Sequence, residues 1–301
     1  MRTRILIVLR AGADSLHRSW THLCAGRVDV AISVYDDAPI DAAAFVATNR
    51  SPGGKFRGLA AFFDENAWVL NAYSHFWIFE DDLFLPFDSL LTMQTMIERF
   101  DFTLCAPSLT TESFMSWPIT VQNSSFALRA TDFVEVMAPV MSRAFLQRAL
   151  PHFADNHTGW GYEWLWRKLL DEMNTFAAIL DAAPIVHTRP IGKGQLYGEA
   201  TDNVTVGMAE ADELFRKHGI DNERAPFRNH FGLSRGDLRP VYGSDFLIAA
   251  LRGYPSLQRN DIAKHERCLR FLMDSPRPLP SVEAILALRG AAALLSGPPV
   301  C

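Results

Sequence analysis

The stretch His75–Leu85, HFWIFEDDLFL, decides the fold class of this chain. In it an apolar run leads into three adjacent carboxylates, Glu80, Asp81 and Asp82, before the chain turns apolar again. A short continuous apolar run predicts a strand buried on both faces, which is typical of a parallel sheet. Adjacent carboxylates repel one another and are costly to bury unless a positive group meets them. The sequence therefore predicts a charged site at the carboxyl end of a buried strand.

The same arrangement recurs along the chain, with helical patterns between the strands. Strand–helix alternation predicts an α/β fold whose mostly parallel sheet is flanked by helices. Ligands of such folds bind beyond the carboxyl ends of the strands. The predicted strands are 4–9, 28–35, 75–79, 102–107, 133–142 and two within 176–192. The predicted helices include 15–24, 56–70, 89–100, 143–150 and one opening at Glu163. Asp88 is the predicted N-cap of the helix 89–100.

The character of the chain changes at about residue 245. From there the apolar residues recur with a helical period, and proline-rich segments separate the helices. We predict a domain of residues 1–244 that carries the site and a helical C-terminal appendage of residues 245–301, which packs on the domain, forms a dimer contact or touches a membrane surface peripherally.

Composition excludes several classes of protein. Apolar residues make up 49% of the 301 residues, which fits a globular protein with a large core. The net charge of −5 without a basic block argues against nucleic-acid binding. The four cysteines form no C-x-x-C pair, and no apolar run reaches the roughly 18 residues of a membrane span. These features predict a cytoplasmic protein without a membrane span.

The carboxylate trio suits a hard divalent cation such as Mg²⁺ or Mn²⁺. Side chains alternate along an extended chain, so Glu80 and Asp82 are expected to converge on one cation while Asp81 points elsewhere. A cation held in this way commonly bridges a diphosphate. The spacing fits equally well a solvated acidic cluster at the start of a loop.

Further segments supply candidates for the same site. In GWGYEW, Glu163 lies beside the aromatic surfaces of Trp160 and Trp164, where a carboxylate could deprotonate a sugar hydroxyl; it equally suits the first turn of a helix. His187 ends an apolar strand and could ligate the cation, or serve as a structural hydrogen-bonding group. Lys55 follows a Gly-Gly turn before a helix, where it could bind phosphate or be a solvated loop lysine.

Taken together, seven ordered segments resemble the uncharacterised-domain family numbered seven hundred and seven, whose plant and bacterial members are regarded as glycosyltransferases of the GT-A fold. The segments span about residues 3–195, and the most specific are VEVMAPVMSRA, GWGYE and IVHTRPIG; the others are RAGADSLHRSW, SVYDDA, GGKFRGL and FWIFEDDLFL. The resemblance implies a GT-A-like, Rossmann-like catalytic domain.

The resemblance also implies roles for individual residues. The trio resembles the Asp-x-Asp motif, with Glu80 in place of the commoner first aspartate, so that Glu80, Asp82 and His187 would hold Mn²⁺ or Mg²⁺. Glu163 resembles the catalytic base of galactosyltransferase-type enzymes. The remaining assignments are nucleotide contacts at Arg10, Asp14, Asp36 and Asp81, a diphosphate contact at Lys55, and an acceptor floor at Trp160 and Trp164.

The implied reaction moves a sugar from a nucleotide-diphosphate sugar, most simply a UDP-sugar, to a hydroxyl of a glycan or other acceptor. A base opposite the leaving group would invert the anomeric centre. The resemblance further implies bacterial polysaccharide or lipopolysaccharide biosynthesis. Two alternatives stay open: a metal-dependent phosphoesterase, which would usually need more ligands for two metals, and a non-catalytic nucleotide-sugar-binding protein.

Overall fold

The computed structural model describes residues 3–190, 203–221 and 229–253. The strands are β1 Ile5–Ala11, β2 Asp29–Val34, β3 Thr48–Arg50, β4 His75–Glu80, β5 Leu83–Phe84, β6 Leu104–Leu109, β7 Phe126–Thr131, β8 Val140–Ser142, β9 Ala177–His187, β10 Asn229–Ser234 and β11 Pro240–Val241. The α-helices are α1 Lys55–Glu65, α2 Val69–Ala72, α3 Phe87–Phe100, α4 Arg143–Ala149, α5 Tyr162–Glu172, α6 Asn203–His218 and α7 Gly243–Gly253.

Within the described residues, one sheet runs in the order β11-β10-β7-β9-β6-β8-β4-β1-β2-β3, and β5 pairs with β9 beside it. The strands β4, β1, β2 and β3 are parallel to one another, as are β6 and β9. The other pairs are antiparallel, so the sheet is mixed and the prediction of a mostly parallel sheet is corrected. Strand β7 runs antiparallel to both of its neighbours, β9 and β10, and β8 runs antiparallel to both of its neighbours, β4 and β6, so these two strands break the parallel order.

Two errors in strand prediction have one origin. The segment 133–142 was predicted as a strand, but only Val140–Ser142 pairs, and the rest is a loop. The strand β7 went unpredicted because Arg129 interrupts its apolar run; the structure buries that guanidinium against Asp181 of β9. Pairing between distant segments therefore decides both strands, and local pattern does not reveal it.

The core lies on both faces of the sheet, and successive side chains of a strand pack into opposite faces of it. Leu6 and Val8 of β1 pack on one face with α1, α4 and α5, and Ile7 and Leu9 pack on the other with α3. Each face is covered, which explains the continuous apolar runs Ile5–Leu9 of β1 and Phe76–Phe79 of β4. The sheet therefore holds the carboxyl ends of β1, β2 and β4 in fixed positions.

The predicted helices 89–100 and 143–150 and the one opening at Glu163 hold with changes at their ends, whereas the predicted helix 56–70 divides into α1 and α2. The segment 15–24 forms two short 3₁₀ helices, Leu16–Ser19 and Thr21–Cys24. Helix α3 has Pro86 at its N-cap position, and the predicted cap, Asp88, lies in the first turn.

Of the predicted C-terminal appendage, α7 packs on β7, where Phe246 stacks on Phe126 at 4.9 Å between ring centroids. The rest of the appendage, with its predicted helices, lies outside the described residues. Over the described residues, no helix has both the length and the apolar character to cross a membrane.

Candidate active site

The candidate site lies where β1, β2 and β4 end. Parallel register aligns Arg10 of β1 with Glu80 of β4 and with Ser33 of β2. The loops that follow these strands therefore emerge at one edge of the sheet, and the acidic trio lies among them. Each of its three carboxylates meets a different set of groups.

Asp81 makes contacts that differ from those of Glu80 and Asp82. Its Oδ2 accepts hydrogen bonds from the Gly12 backbone N–H at 3.1 Å and from the Tyr35 hydroxyl at 2.6 Å. Arg189 lies 3.4 Å from its Oδ1. Burial raises the pKa of Asp81, partly offset by the hydrogen bond from Tyr35. Asp81 thus ties the loop after β1 to the loop after β2.

Asp82 and His187 form the pair that best suits a cation. The imidazole Nδ1 lies 2.7 Å from the Phe114 carbonyl oxygen, so Nδ1 carries the proton and Nε2 faces Asp82 Oδ2 at 3.3 Å. Burial alone would lower the pKa of His187, but the hydrogen bond and charge of Asp82 raise it to about 9. The second oxygen, Oδ1 of Asp82, is buried and accepts no hydrogen bond.

Glu80 is engaged by Lys55. The ammonium lies 2.9 Å from Glu80 Oε1 and also donates to the carbonyl oxygens of Val136, at 2.5 Å, and Met137, at 3.1 Å. Burial lowers the pKa of Lys55 and raises that of Glu80, while their mutual attraction opposes both shifts. Because three acceptors take the three N–H donors of Lys55, this arrangement does not favour its predicted contact with a diphosphate.

Glu163 is buried at the start of α5, where the chain needs Gly161 at a φ of 92° to enter the helix. Burial raises the pKa of Glu163 to about 7, against backbone hydrogen bonds at Glu163, Gly161 and Val136 and the charge of Lys55, which lower it. A carboxyl with a pKa near neutrality can accept and release a proton at physiological pH.

Glu135 is a site residue that sequence reasoning missed. It lies in the loop before β8, is 7% exposed, and its Oε2 is buried without a hydrogen-bond partner. Burial and the charge of Glu163 raise its pKa to about 8, with an opposing contribution from His187. Reading 133–142 as a strand concealed it, although a lone acid in the apolar run FVEVM was a usable signal.

Arg189 is a second missed residue, in the segment that follows His187. Its Nη2 donates to the Asp14 carbonyl oxygen, and its side chain keeps 27% of its exposure. The guanidinium therefore lies at the rim of the loop after β1 and remains partly open to solvent. An arginine two residues after the strand-end His187 is the sequence signal that could have found it.

The three polar residues predicted after β1 and β2 lie near this edge, but in supporting positions. Arg10 is 2% exposed and its guanidinium binds Ser33 Oγ and the Ser51 and Gly53 carbonyl oxygens at 2.5–2.9 Å. Asp36 accepts from the backbone N–H groups of Ala13 and Ala38 at 2.7 and 2.9 Å. Asp14 is exposed. Arg10 and Asp36 therefore hold the loops in shape.

The two aromatic residues predicted to form an acceptor floor, Trp160 and Trp164, pack against different neighbours. Trp160 packs against α6, where a Cβ on Gly207 would lie 2.6 Å from its indole ring. Trp164 packs edge-on with Trp117 at 5.8 Å and with Phe215 at 5.6 Å between ring centroids. Trp164 therefore forms an aromatic cluster with Trp117 and Phe215, and Trp160 packs on α6 from the loop before α5.

The donor set fits a divalent cation at Asp82 and His187. A carboxylate oxygen without a partner is available beside a histidine whose other nitrogen is held by a backbone carbonyl, which is how metal-binding histidines are commonly oriented. Glu80, the third predicted ligand, is bound to Lys55 instead. The residues that would hold the ion are thus Asp82 and His187, with the remaining positions left to water or substrate oxygens.

No protein-family model and no curated protein matches the sequence, so membership of the family numbered seven hundred and seven stays a prediction.

Several solved structures align with the chain. S. aureus TarS 1-349 in complex with UDP-GlcNAc aligns at 8% identity and a TM-score of 0.48, over 71% of this chain and 67% of that one. GalNAc-T7 with UDP, GalNAc and Mn²⁺ aligns at 7% identity and a TM-score of 0.48, over 70% of this chain and 48% of that one, about half its length. A197 from STIV aligns at 9% identity and a TM-score of 0.38, over 80% of this chain and 94% of that one. At these identities and scores the alignments establish no activity for the chain.

Proposed function

We propose that this protein is a divalent-metal-dependent glycosyltransferase that uses a nucleotide-diphosphate sugar. The observation that carries the proposal is the buried, unpartnered Oδ1 of Asp82 beside an oriented His187, at the same sheet edge as two protonatable carboxyls. Such a site would join a cation ligand set to a proton acceptor, and both can assist transfer from a diphosphate leaving group.

The donor is proposed to bind across the loops after β1 and β2. These two loops pack on each other, since a Cβ at Gly12 would lie 2.4 Å from the ring of Tyr35. Arg189, at the rim of these loops, takes the role first predicted for Lys55 and meets the diphosphate. Guanidinium groups suit phosphate oxygens because their N–H groups match them in pairs.

A bound Mn²⁺ or Mg²⁺ would neutralise charge on the diphosphate leaving group. The chain's own residues carry the proton. Glu163 accepts the proton of the acceptor hydroxyl as that oxygen forms a bond to the anomeric carbon, and the bond from this carbon to the phosphate oxygen breaks. Glu135 holds a proton near pH 7, so the electrostatic repulsion between its carboxyl and the Glu163 carboxylate is reduced. A sugar acceptor would lie against Trp164 and Trp117, since aromatic faces suit the apolar side of a sugar ring.

The stereochemical outcome and the pathway are parts of the same proposal. A base on the side of the sugar opposite the diphosphate gives inversion, which the anomeric configuration of the product reports by NMR. The acceptor is proposed to be a hydroxyl of a glycan, as in synthesis of a bacterial surface polysaccharide.

Thermal unfolding in the presence of nucleotide-sugars, with and without Mn²⁺, tests the proposal. We expect one donor, most simply a UDP-sugar, to raise the midpoint only when Mn²⁺ is present, because binding to the folded state stabilises it. Asp82→Asn should lose this shift. Asp41→Asn is the matched control, since Asp41 is exposed and caps a short 3₁₀ helix.

The alternatives give different results in the same samples. A donor that binds but is never consumed with any acceptor would favour a non-catalytic binding protein. Release of phosphate from simple phosphate esters without sugar transfer would favour a phosphoesterase. If no nucleotide or nucleotide-sugar stabilises the protein with or without Mn²⁺, the proposal is wrong.

A further inference from the structure

A second cluster of ligating side chains lies outside the candidate active site. His152 ends a short 3₁₀ helix, Asp155 follows in the next loop, and His218 is the last residue of α6. Of the described residues, these three form the group of His, Cys, Asp or Glu side chains whose ligand atoms all lie within 4.8 Å of one another. The cluster cannot be recognised as a motif in the sequence, because more than sixty residues separate Asp155 from His218.

The geometry of the three ligand atoms is close to that of a metal site. Oδ2 of Asp155 lies 2.9 Å from His218 Nε2 and 3.5 Å from His152 Nδ1. Ligand atoms about 2.05 Å from a tetrahedral metal are about 3.3 Å from one another. Both distances are within about 0.4 Å of that value, so small side-chain movements would open the cluster around an ion.

We propose that His152, Asp155 and His218 bind a divalent transition-metal ion, with Zn²⁺ the best match. Two imidazoles and one carboxylate are borderline ligands, unlike the oxygen-rich sites that Mg²⁺ prefers. The side chains of His152, His218 and Asp155 keep 27%, 12% and 10% of their exposure, so an ion can enter and water can complete the shell.

The position of this cluster links the ion to the start of α5, where the candidate base Glu163 lies. The carbonyl oxygen of His152 accepts a hydrogen bond from the Tyr162 hydroxyl at 2.6 Å, and Tyr162 precedes Glu163. On α6, Glu210 accepts from the backbone N–H groups of His157 and Thr158 at 2.7–3.1 Å. A metal at the end of α6 would fasten this helix to the segment before α5.

A hydrogen-bonded network without an ion is the competing explanation. Lys217 Nζ lies 2.6 Å from Asp155 Oδ1, so the aspartate already has a cationic neighbour. The two explanations differ in what Lys217 does. In a network its ammonium supports the cluster, whereas in a metal site it competes with the ion for Asp155. Lys217→Gln should therefore leave zinc affinity unchanged or raise it if the ion is real.

The experiment is calorimetric titration of the metal-free, full-length protein with Zn²⁺, followed by Co²⁺ substitution read by visible absorption. His152→Ala, His218→Ala and Asp155→Asn should each weaken Zn²⁺ binding at least tenfold, since even partners outside the ligand shell cost about that much. Asp82→Asn should keep the zinc stoichiometry of this site. His22→Ala is the matched control, because His22 is an exposed histidine elsewhere on the chain.

Circular dichroism of each variant separates lost binding from lost folding, and His152→Ala, with the most exposed of the three side chains, is the variant best placed to remain folded. Loss of one Zn²⁺ equivalent in the folded cluster variants alone supports the site. If the metal-free wild type takes up no Zn²⁺, or if the cluster variants bind it as the wild type does, the proposal is overturned.

Discussion

Two buried groups of charge in this molecule are built differently. Arg129 and Asp181 are fully buried, and the guanidinium meets both carboxylate oxygens at 2.9 Å while also donating to the Ile119 and Val121 carbonyl oxygens. At the sheet edge, Asp82 Oδ1 and Glu135 Oε2 are buried and accept no hydrogen bond.

This difference in hydrogen bonding distinguishes a charged pair that stabilises the fold from carboxylates that are available to a ligand. Buried polar atoms are nearly always hydrogen-bonded, so a buried carboxylate oxygen without a hydrogen-bond partner calls for an explanation. A ligand that binds there supplies the missing partner. We therefore expect changes in the Arg129–Asp181 pair to alter stability, and changes in the sheet-edge carboxyls to alter activity and pH dependence.

The largest effect is expected from Glu163→Gln, which should lower kcat for sugar transfer by about 10²–10⁴ because it removes the proton acceptor. Since burial raises the pKa of Glu163 to about 7, the wild-type kcat should fall about tenfold per pH unit well below that value as the carboxyl becomes protonated. Initial rates of nucleotide release between pH 5 and 9 measure both. A variant with the wild-type rate and pH profile would exclude Glu163 as the base.

Breaking the structural pair should cost stability instead. Arg129→Met leaves Asp181 buried without its cation, so the free energy of unfolding should fall by about 3–5 kcal/mol. Urea unfolding measures the change, and Arg129→Met with Asp181→Leu should recover part of it because no lone charge remains. A single-variant loss below about 1 kcal/mol would show that the pair is not a structural element.

Glu135→Gln should stabilise the protein in a pH-dependent way. Burial raises the pKa of Glu135 to about 8, so the folded state holds this proton more tightly than the unfolded state. In metal-free wild type, stability from this group is complete below about pH 4.5 and is lost as the pH rises through 8, whereas glutamine does not titrate. Urea unfolding at pH 5 and pH 8.5 should therefore show the variant gaining up to a few kcal/mol over wild type only at the higher pH. An equal difference at both values would contradict the buried-acid assignment.

The smallest effect is expected from Tyr35→Phe. This change removes the 2.6 Å hydrogen bond to Asp81, the member of the trio with several hydrogen-bond partners. The free energy of unfolding should fall by about 1 kcal/mol, which thermal or urea unfolding can resolve. No loss would show that this carboxylate is held mainly by Gly12 and Arg189.

Local pattern predicted much of the parallel half of the sheet. The apolar runs at β1, β2 and β4 and the helices α1 and α3 were predicted near their observed positions because each is amphipathic or apolar over its own length. The antiparallel strand β7 was not predicted, because it contains a buried arginine, Arg129, whose partner, Asp181, lies on another strand. A charge that is paired across distant segments looks, in sequence, like a charge on the surface.

What the sequence by itself determined was the α/β class, the position of the acidic trio at a strand end, and the chemistry available at Glu163 and His187. Only the tertiary structure decided how those groups divide. In the folded protein Lys55 forms an ion pair with Glu80, and the Phe114 carbonyl oxygen orients His187. Folding also places Glu135 close to Glu163. The physical reason is that burial and long-range pairing set which carboxylates are neutralised, and neither can be read from residues that are neighbours only in the chain.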